Sequence, residues 1–231
     1  MNTIGMIGSM SWESTLEYYR IINEAVKERL GGLHSARCIL YSLEFGEIEK
    51  LQHEGNWDRL AELMTDAADK IETAGADCLI ICTNTMHKLA ERVEKNIGIP
   101  LLHILDATAE AILEKGIETI GLLGTKFTME HDFYRGRLEA KHGLEVLLPG
   151  DEDRDTIHRI LYRELCMGEI KRLSRDKFRE IIARLVSKGA KGIILGCTEI
   201  PLLVEQKDYD IPLFDTTKLH ALAAVDYALQ R

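Results

Sequence analysis

Two short stretches carry the residue types best suited to proton transfer: Cys82-Thr83-Asn84-Thr85 and Gly196-Cys197-Thr198-Glu199. Each closes an apolar run, Leu79-Ile80-Ile81 or Ile193-Ile194-Leu195, and each run follows a Gly-Ala pair, Gly75-Ala76 or Gly189-Ala190. A β-branched run bounded by glycine reads as a buried parallel strand. Both stretches therefore fall at a strand's carboxyl end, where open α/β sheets place their ligands. Cys197 supplies a thiol. Gly196 before it allows close backbone approach, and Thr198-Glu199-Ile200 after it reads as a helix start whose amides and dipole would favour the thiolate. The bland reading is a small buried hydrophobe, which is the default for Cys38, Cys78 and Cys166. Thr83 supplies a hydroxyl, while Asn84, Thr85 and Thr198 add donors and acceptors suited to a carboxylate or ammonium group. Helix capping alone accounts for many such threonines. Strand alternation turns Cys82 away from Thr83, so Cys82 reads as structural.

Two further loops fit anion recognition. Gly8-Ser9-Met10-Ser11-Trp12-Glu13-Ser14-Thr15 could bind a carboxylate through amides at a helix start, or be a Ser11-x-x-Ser14 cap with Trp12 as packing. The spacing of Gly5 and Gly8 is not a dinucleotide fingerprint, and no Walker sequence occurs. Gly124-Thr125-Lys126 offers a matching contact in the second half, although a lone lysine is usually solvated. Gln52 and His53 lie in a polar connector past the second strand, where a surface role is the default over capping a pocket. His87 fits an ordinary helix position. The eight histidines show no HExxH or clustered spacing, so no metal is expected.

The elements that must position these residues alternate along the chain. Strands are expected at Thr3–Gly8, Cys38–Leu43, the run ending at Cys82, Pro100–Ile104, from Thr119, Glu145–Leu148, the run ending at Cys197, and Pro212–Phe214. Helices are expected at Ser11–Leu30 (through Leu16, Tyr19, Ile22 and Val26), Asp58–Thr73, Met86–Lys95, from Ala107, Thr128–Lys141, Asp155–Cys166, Arg175–Lys188 and the carboxyl terminus. That alternation means α/β with parallel sheets. The pattern also repeats: Thr83 to Cys197 and Gly75 to Gly189 are both 114 positions, and Thr3-Ile4-Gly5-Met6-Ile7-Gly8 recurs 116 positions later as Thr119-Ile120-Gly121-Leu122-Leu123-Gly124. Ile99-Pro100-Leu101 recurs 112 positions later as Ile211-Pro212-Leu213. A period above 100 residues means two domain-sized halves rather than a solenoid. If the halves face each other, Thr83 and Cys197 would lie on opposite sides of one cleft.

The 231 residues can bury a full core. A net charge of −9 argues against nucleic-acid or anionic-membrane binding, yet leaves room for an anionic small molecule held by local dipoles. No apolar run approaches the ~20 residues of a membrane span. The amino terminus enters a strand pattern at once, leaving no room for a signal peptide. Five cysteines without a CxxC pair suggest a reducing cytoplasm.

Together, Gly8-x-Met10-Ser11-Trp12-Glu13-Ser14-Thr15, Thr83-Asn84-Thr85-Met86-His87 and Gly196-Cys197-Thr198-Glu199-Ile200 resemble the aspartate/glutamate racemase family over essentially the whole chain. The resemblance implies a cofactor-independent, usually homodimeric enzyme acting on a small amino acid. It implies two similar Rossmann-like domains, related by a pseudo-twofold around the active-site cleft: residues 1–100 with 211–231, and residues 101–210. Family chemistry sets one cysteine on each face of the α-carbon; one thiolate removes the proton and the opposite thiol returns one. Cys197 stands at the second cysteine position, but Thr83 replaces the first. A hydroxyl is a far weaker acid than a thiol, so the resemblance implies faster turnover from L to D, driven by Cys197. Met10, Gln52, Asn84, Thr85, Thr125, Lys126, Arg163, Thr198 and Glu199 are the expected substrate contacts, with Arg163, Lys126 or Gln52 competing for the side-chain carboxylate. A single-cysteine decarboxylase or isomerase and a non-catalytic amino-acid sensor are the rival readings.

Overall fold

Ile4, Met6 and Ile7 are fully buried because their run is the central strand of a sheet covered on both faces. A computed structural model describes residues 1–230 and shows an α/β chain with two parallel sheets. The first unit contains β1 (Ile4–Gly8), α1 (Trp12–Leu30), β2 (Cys38–Ser42), α2 (Phe45–His53), α3 (Trp57–Thr73), β3 (Cys78–Ile81), a 3₁₀ segment Thr85–Leu89 and α4 (Ala90–Glu94). Its strands run in the order β2-β1-β3, with Ile7 level with Tyr41 and Ile81. Strand alternation divides the core. Ile7, Leu79 and Ile81 pack with Leu60, Met64 and Ile71, whereas Ile4, Met6, Ile80 and Cys82 pack with Tyr18, Ile22 and Val26. Each fully buried aliphatic side chain contributes about 1.5–3 kcal/mol relative to exposure.

Beyond α5 (Ile104–Leu113), the second unit contains β4 (Thr119–Gly124), α6 (Lys126–Glu130), α7 (Asp132–His142), β5 (Glu145–Leu147), α8 (Asp151–Arg163), α9 (Arg172–Ser187), β6 (Ile193–Gly196) and β7 (Leu213–Asp215). The strand order is β5-β4-β6-β7. The first three strands copy β2-β1-β3, and the bridge from Leu79 to Leu101 stands where β7 pairs with β6. The duplication extends to packing. A Cβ on Gly5 would meet Ile71 Cγ2 at 2.3 Å and Ala76 Cβ at 3.0 Å; on Gly121 it would meet Leu185 Cδ1 at 3.1 Å and Ala190 Cβ at 3.5 Å. Ile71 and Leu185, like Ala76 and Ala190, are 114 positions apart. Gly75 (φ 96°) and Gly189 (φ 112°) make the same left-handed turn from helix into strand, a conformation only glycine adopts without strain.

Several expectations need correction. Residues 45–53 form α2 rather than a polar connector; Glu44 caps it by accepting from the amides of Gly46 (3.0 Å) and Glu47 (2.7 Å). Only Leu101 of the expected strand at Pro100–Ile104 pairs, because α5 begins at Ile104. The expected helix at Thr128–Lys141 is two helices, broken at His131 in extended backbone (ψ 140°). On α1 the inward face is Tyr18, Ile22, Ala25 and Val26, leaving Leu16 and Tyr19 half exposed. The strand after Pro212 pairs with β6, and α10 (Thr216–Leu229) supplies Ala221, Ala224, Val225 and Ala228 to the first unit's core. The compact units are accordingly Met1–Ile104 with the chain from His220 onward, and Leu105–Leu219.

Candidate functional site

In the first unit, the carboxyl ends of β1 and β3 are level: Cys82 N donates to Ile7 O at 2.9 Å, and both strands then open into loops. The loop after β1 is held by small hydroxyls. Ser9 N donates to Thr15 Oγ1 (2.8 Å), which itself donates to Ser11 O (3.1 Å). Ser14 Oγ lies 3.1 Å from Ser11 O and 3.4 Å from Cys82 O, so this loop and the one after β3 meet. Ser9 occupies the left-handed region at φ 63°, where a non-glycine residue costs about 1–3 kcal/mol. Ser11 caps α1 and Met10 is buried.

Thr83 leaves β3 half-buried, with its N–H donating to Ile81 O at 2.8 Å. Asn84 and Thr85 are buried, and the 3₁₀ segment carries Met86 into the core. Cys82 faces the opposite side, in the cluster with Tyr18 and Ile22; burial pushes its thiol far up, so it is inert. Gln52, expected at the surface, is 5% exposed and donates to Met86 Sδ at 3.1 Å. A thioether is a weak acceptor, so this amide is held loosely for a buried polar group. Its burial follows from α2, whose existence the sequence pattern did not suggest. His87 is also buried, and Lys88 stacks 3.8 Å from the centre of the Trp57 ring, its ammonium pushed down by burial.

In the second unit, Gly124 of β4 pairs with Gly196 of β6, so Thr125 and Cys197 leave neighbouring strand ends at the same level. A Cβ on Gly196 would sit 2.8 Å from Leu123 O, which is why glycine precedes the cysteine. Cys197 Sγ donates to Glu199 Oε2 at 2.9 Å, and Thr198 Oγ1 donates to the same oxygen at 2.7 Å. The expected helix start is only a 3₁₀ turn, Ile200–Leu202. The expected thiolate stabilisation is therefore reversed: loss of water around the thiol, and then the Glu199 charge, push Cys197 well above the ordinary cysteine value. At rest this group is a protonated thiol bound to a carboxylate.

Thr125 caps α6 by accepting from Thr128 N at 3.3 Å. The Lys126 amide donates to His158 Nδ1 at 3.3 Å, and its ammonium is ion-paired with Asp155. His158 on α8 is thus a residue at this site that no motif marks. Arg163 is exposed at the last position of α8. Among the described residues no cluster of His, Cys, Asp and Glu could hold a metal ion, and no helix is long and apolar enough to cross a membrane.

A family profile described as Asp/Glu/Hydantoin racemase matches residues 7–224, taking in both loop systems. The chain belongs to this family. The crystal structure of a candidate Asp/Glu racemase from Yersinia pestis shares 56% identity at a TM-score of 0.95, covering 100% of both chains. That of an aspartate racemase homologue from Pyrococcus horikoshii OT3 shares 36% identity at a TM-score of 0.88, again covering 100% of both chains. A broad specificity amino-acid racemase of Bacillus subtilis (strain 168) is 25% identical over 171 residues, 73% of this chain and 72% of the relative. Membership of the Asp/Glu racemase family supports amino-acid racemisation, and it bears out the resemblance carried by the three motifs.

Proposed function

We propose that this protein racemises acidic amino acids, aspartate or glutamate, with Cys197 and Thr83 as the acid–base groups for the two faces of the α-carbon. The observation that carries this reading is the Cys197–Glu199 hydrogen bond at the carboxyl end of β6, in a chain whose family match spans residues 7–224. The thiol proton moves to Glu199 Oε2, and the resulting thiolate takes the α-proton of the L substrate. The Cα–H electron pair stays on the substrate as a planar carbanion, and the Thr83 hydroxyl, or a water it holds, gives a proton to the opposite face. Solvent then returns a proton to that oxygen while Glu199 releases the one it took, which restores the resting groups. No electron sink beyond the substrate is needed in this scheme. The substrate ammonium beside the thiol opposes the effect of Glu199 and favours ionisation. Thr83 serves as a relay or holds the water that does so, which makes L to D the faster direction.

Asn84, Thr85, Thr125 and Thr198 are assigned to the ammonium and α-carboxylate, and Gln52 with Met10 to the substrate side chain. The loose hold of Met86 on the Gln52 amide supports that assignment, because an amide so held exchanges its partner at little cost. Lys126 is a weaker candidate for the side-chain carboxylate, being already paired with Asp155, and so is Arg163, exposed at the end of α8. The likeness to a broad specificity racemase, with Lys126 already paired, supports a second reading in which neutral amino acids also turn over. A chiral assay of Cys197→Ser tests the main proposal. Loss of L-to-D conversion by about 10²–10⁴-fold is expected, the usual contribution of a positioned acid or base; full retention would overturn it.

A further inference from the structure

We infer that His87 is a positioning residue for Thr83, an inference that rests on the racemase reading above. His87 is 3% exposed, and its two ring nitrogens have different partners. The Ile104 amide lies 3.3 Å from Nε2 and can only donate, so Nε2 is the bare nitrogen. In the neutral ring Nδ1 then carries the hydrogen, and it donates to the Thr83 carbonyl at 2.7 Å. The amide on the other side of Thr83 is already tied to Ile81 O at 2.8 Å. With both flanking peptide groups fixed, rotation of the side chain is the main freedom left to the Thr83 hydroxyl.

The ring is itself held. His103 packs on it at 4.6 Å between centroids, and His220 edge-on at 5.5 Å. His220 donates from Nε2 to Leu102 O at 2.7 Å and accepts at Nδ1 from the Tyr18 hydroxyl at 2.9 Å. Leu102 and Ile104, either side of His103, are thus both bound to imidazoles, which fixes the tautomer and the angle of His87 from behind. The duplication gives the device its direction. At the 114-residue offset, Thr83 corresponds to Cys197 and Thr85 to Glu199, while His87 corresponds to Pro201, which has no such group. In the second unit the fixed atom is Sγ, held by Glu199; in the first it is a backbone oxygen, held by His87.

The test is α-proton exchange in heavy water, with D- and L-aspartate and glutamate supplied separately to wild type, His87→Asn and His87→Gln. Asparagine places its amide donor near the Nδ1 position, whereas glutamine places an acceptor near Nε2 and lacks the donor to Thr83. The expected result is that His87→Gln lowers exchange from the D enantiomer about tenfold or more while exchange from L stays within about twofold, and that His87→Asn restores the D-side rate. An unchanged D-side rate in His87→Gln, or equal losses on both sides that asparagine does not restore, would overturn the inference. The tautomer is an independent check in the intact wild type: ¹⁵N chemical shifts should show His87 protonated at Nδ1, and protonation at Nε2 would overturn the inference even if neither variant folds. Failure of the racemase reading looks different, since wild type would then exchange no α-proton from any of the four substrates and the inference would fall with it.

Discussion

A thiol that serves as a base must lose its proton, and at Cys197 the surroundings oppose that loss. Burial disfavours the thiolate and the Glu199 carboxylate repels it, while the same carboxylate accepts the thiol hydrogen at 2.9 Å. Replacing Glu199 by Gln removes the charge and leaves an amide of similar shape. The Cys197 ionisation should then move to lower pH, read as the pH profile of iodoacetamide labelling of its peptide by mass spectrometry. A profile that stays in place would mean Glu199 does not govern the thiol. Cys38, pushed up to about 11 by burial, and Cys78, to about 12, have no carboxylate among the described residues accepting their hydrogen in this way, so Glu199→Gln should leave their labelling profiles in place. Much of this chemistry is legible in the sequence, because Gly-Cys-Thr-Glu after a β-branched run fixes where the thiol emerges. The sign of its pKa shift is not legible, since it depends first on how deeply the thiol is buried and then on a carboxylate two positions on folding back to it. His87 closes one of the three motifs, but its role is not legible there, because its partners, Thr83 O and Ile104 N, are backbone atoms.

Parallel strands ending level are what bring each loop pair together, and buried glycines keep those strands and the helices over them close. A Cβ on Gly5 would fall 2.9 Å from the Cys78 carbonyl oxygen and 2.3 Å from Ile71 Cγ2, whereas on Gly121 the nearest atoms are the side-chain tips of Ile193 (2.6 Å) and Leu185 (3.1 Å). Side-chain tips can give way and a ladder carbonyl cannot. Gly121→Ala should therefore cost about 1–3 kcal/mol in urea unfolding, and Gly5→Ala more than that. Equal costs would show that the backbone contact does not matter. The strand–helix alternation and the repeat were readable from periodicity and spacing. Boundaries set by caps and tertiary pairing were not: Glu44 starting α2 is an unusual cap, and nothing local shows that β7 pairs with β6.

Across the molecule, duplication supplies two parallel sheets of matching order, and the chain crosses from one compact unit to the other after Ile104 and back before His220. His220 is fully buried, and burial lowers its imidazole from 6.5 to about 4. The unfolded chain binds that proton near pH 6.5 and the folded chain only near 4. Stability should thus fall by about 3 kcal/mol as pH drops through this window, and His220→Gln should flatten the slope of urea-derived stability there. An unaltered slope would show that His220 does not set it. A separate window opens at lower pH. Burial opposes the Asp106 charge, but hydrogen bonds from Arg137, Lys141 and His142 outweigh burial and hold it well below the usual carboxylate range, so its contribution is lost as pH falls below the ordinary value of 3.8.

The central claim, proton transfer at an amino-acid α-carbon driven by Cys197, is tested most directly by following the α-proton itself. Wild type and Cys197→Ser are incubated in heavy water with each enantiomer of aspartate and glutamate, and deuterium is followed by NMR. Uptake faster from the L than from the D enantiomer in wild type, and abolished from L in Cys197→Ser, is the predicted result. Equal uptake from L substrate with and without the thiol would contradict it.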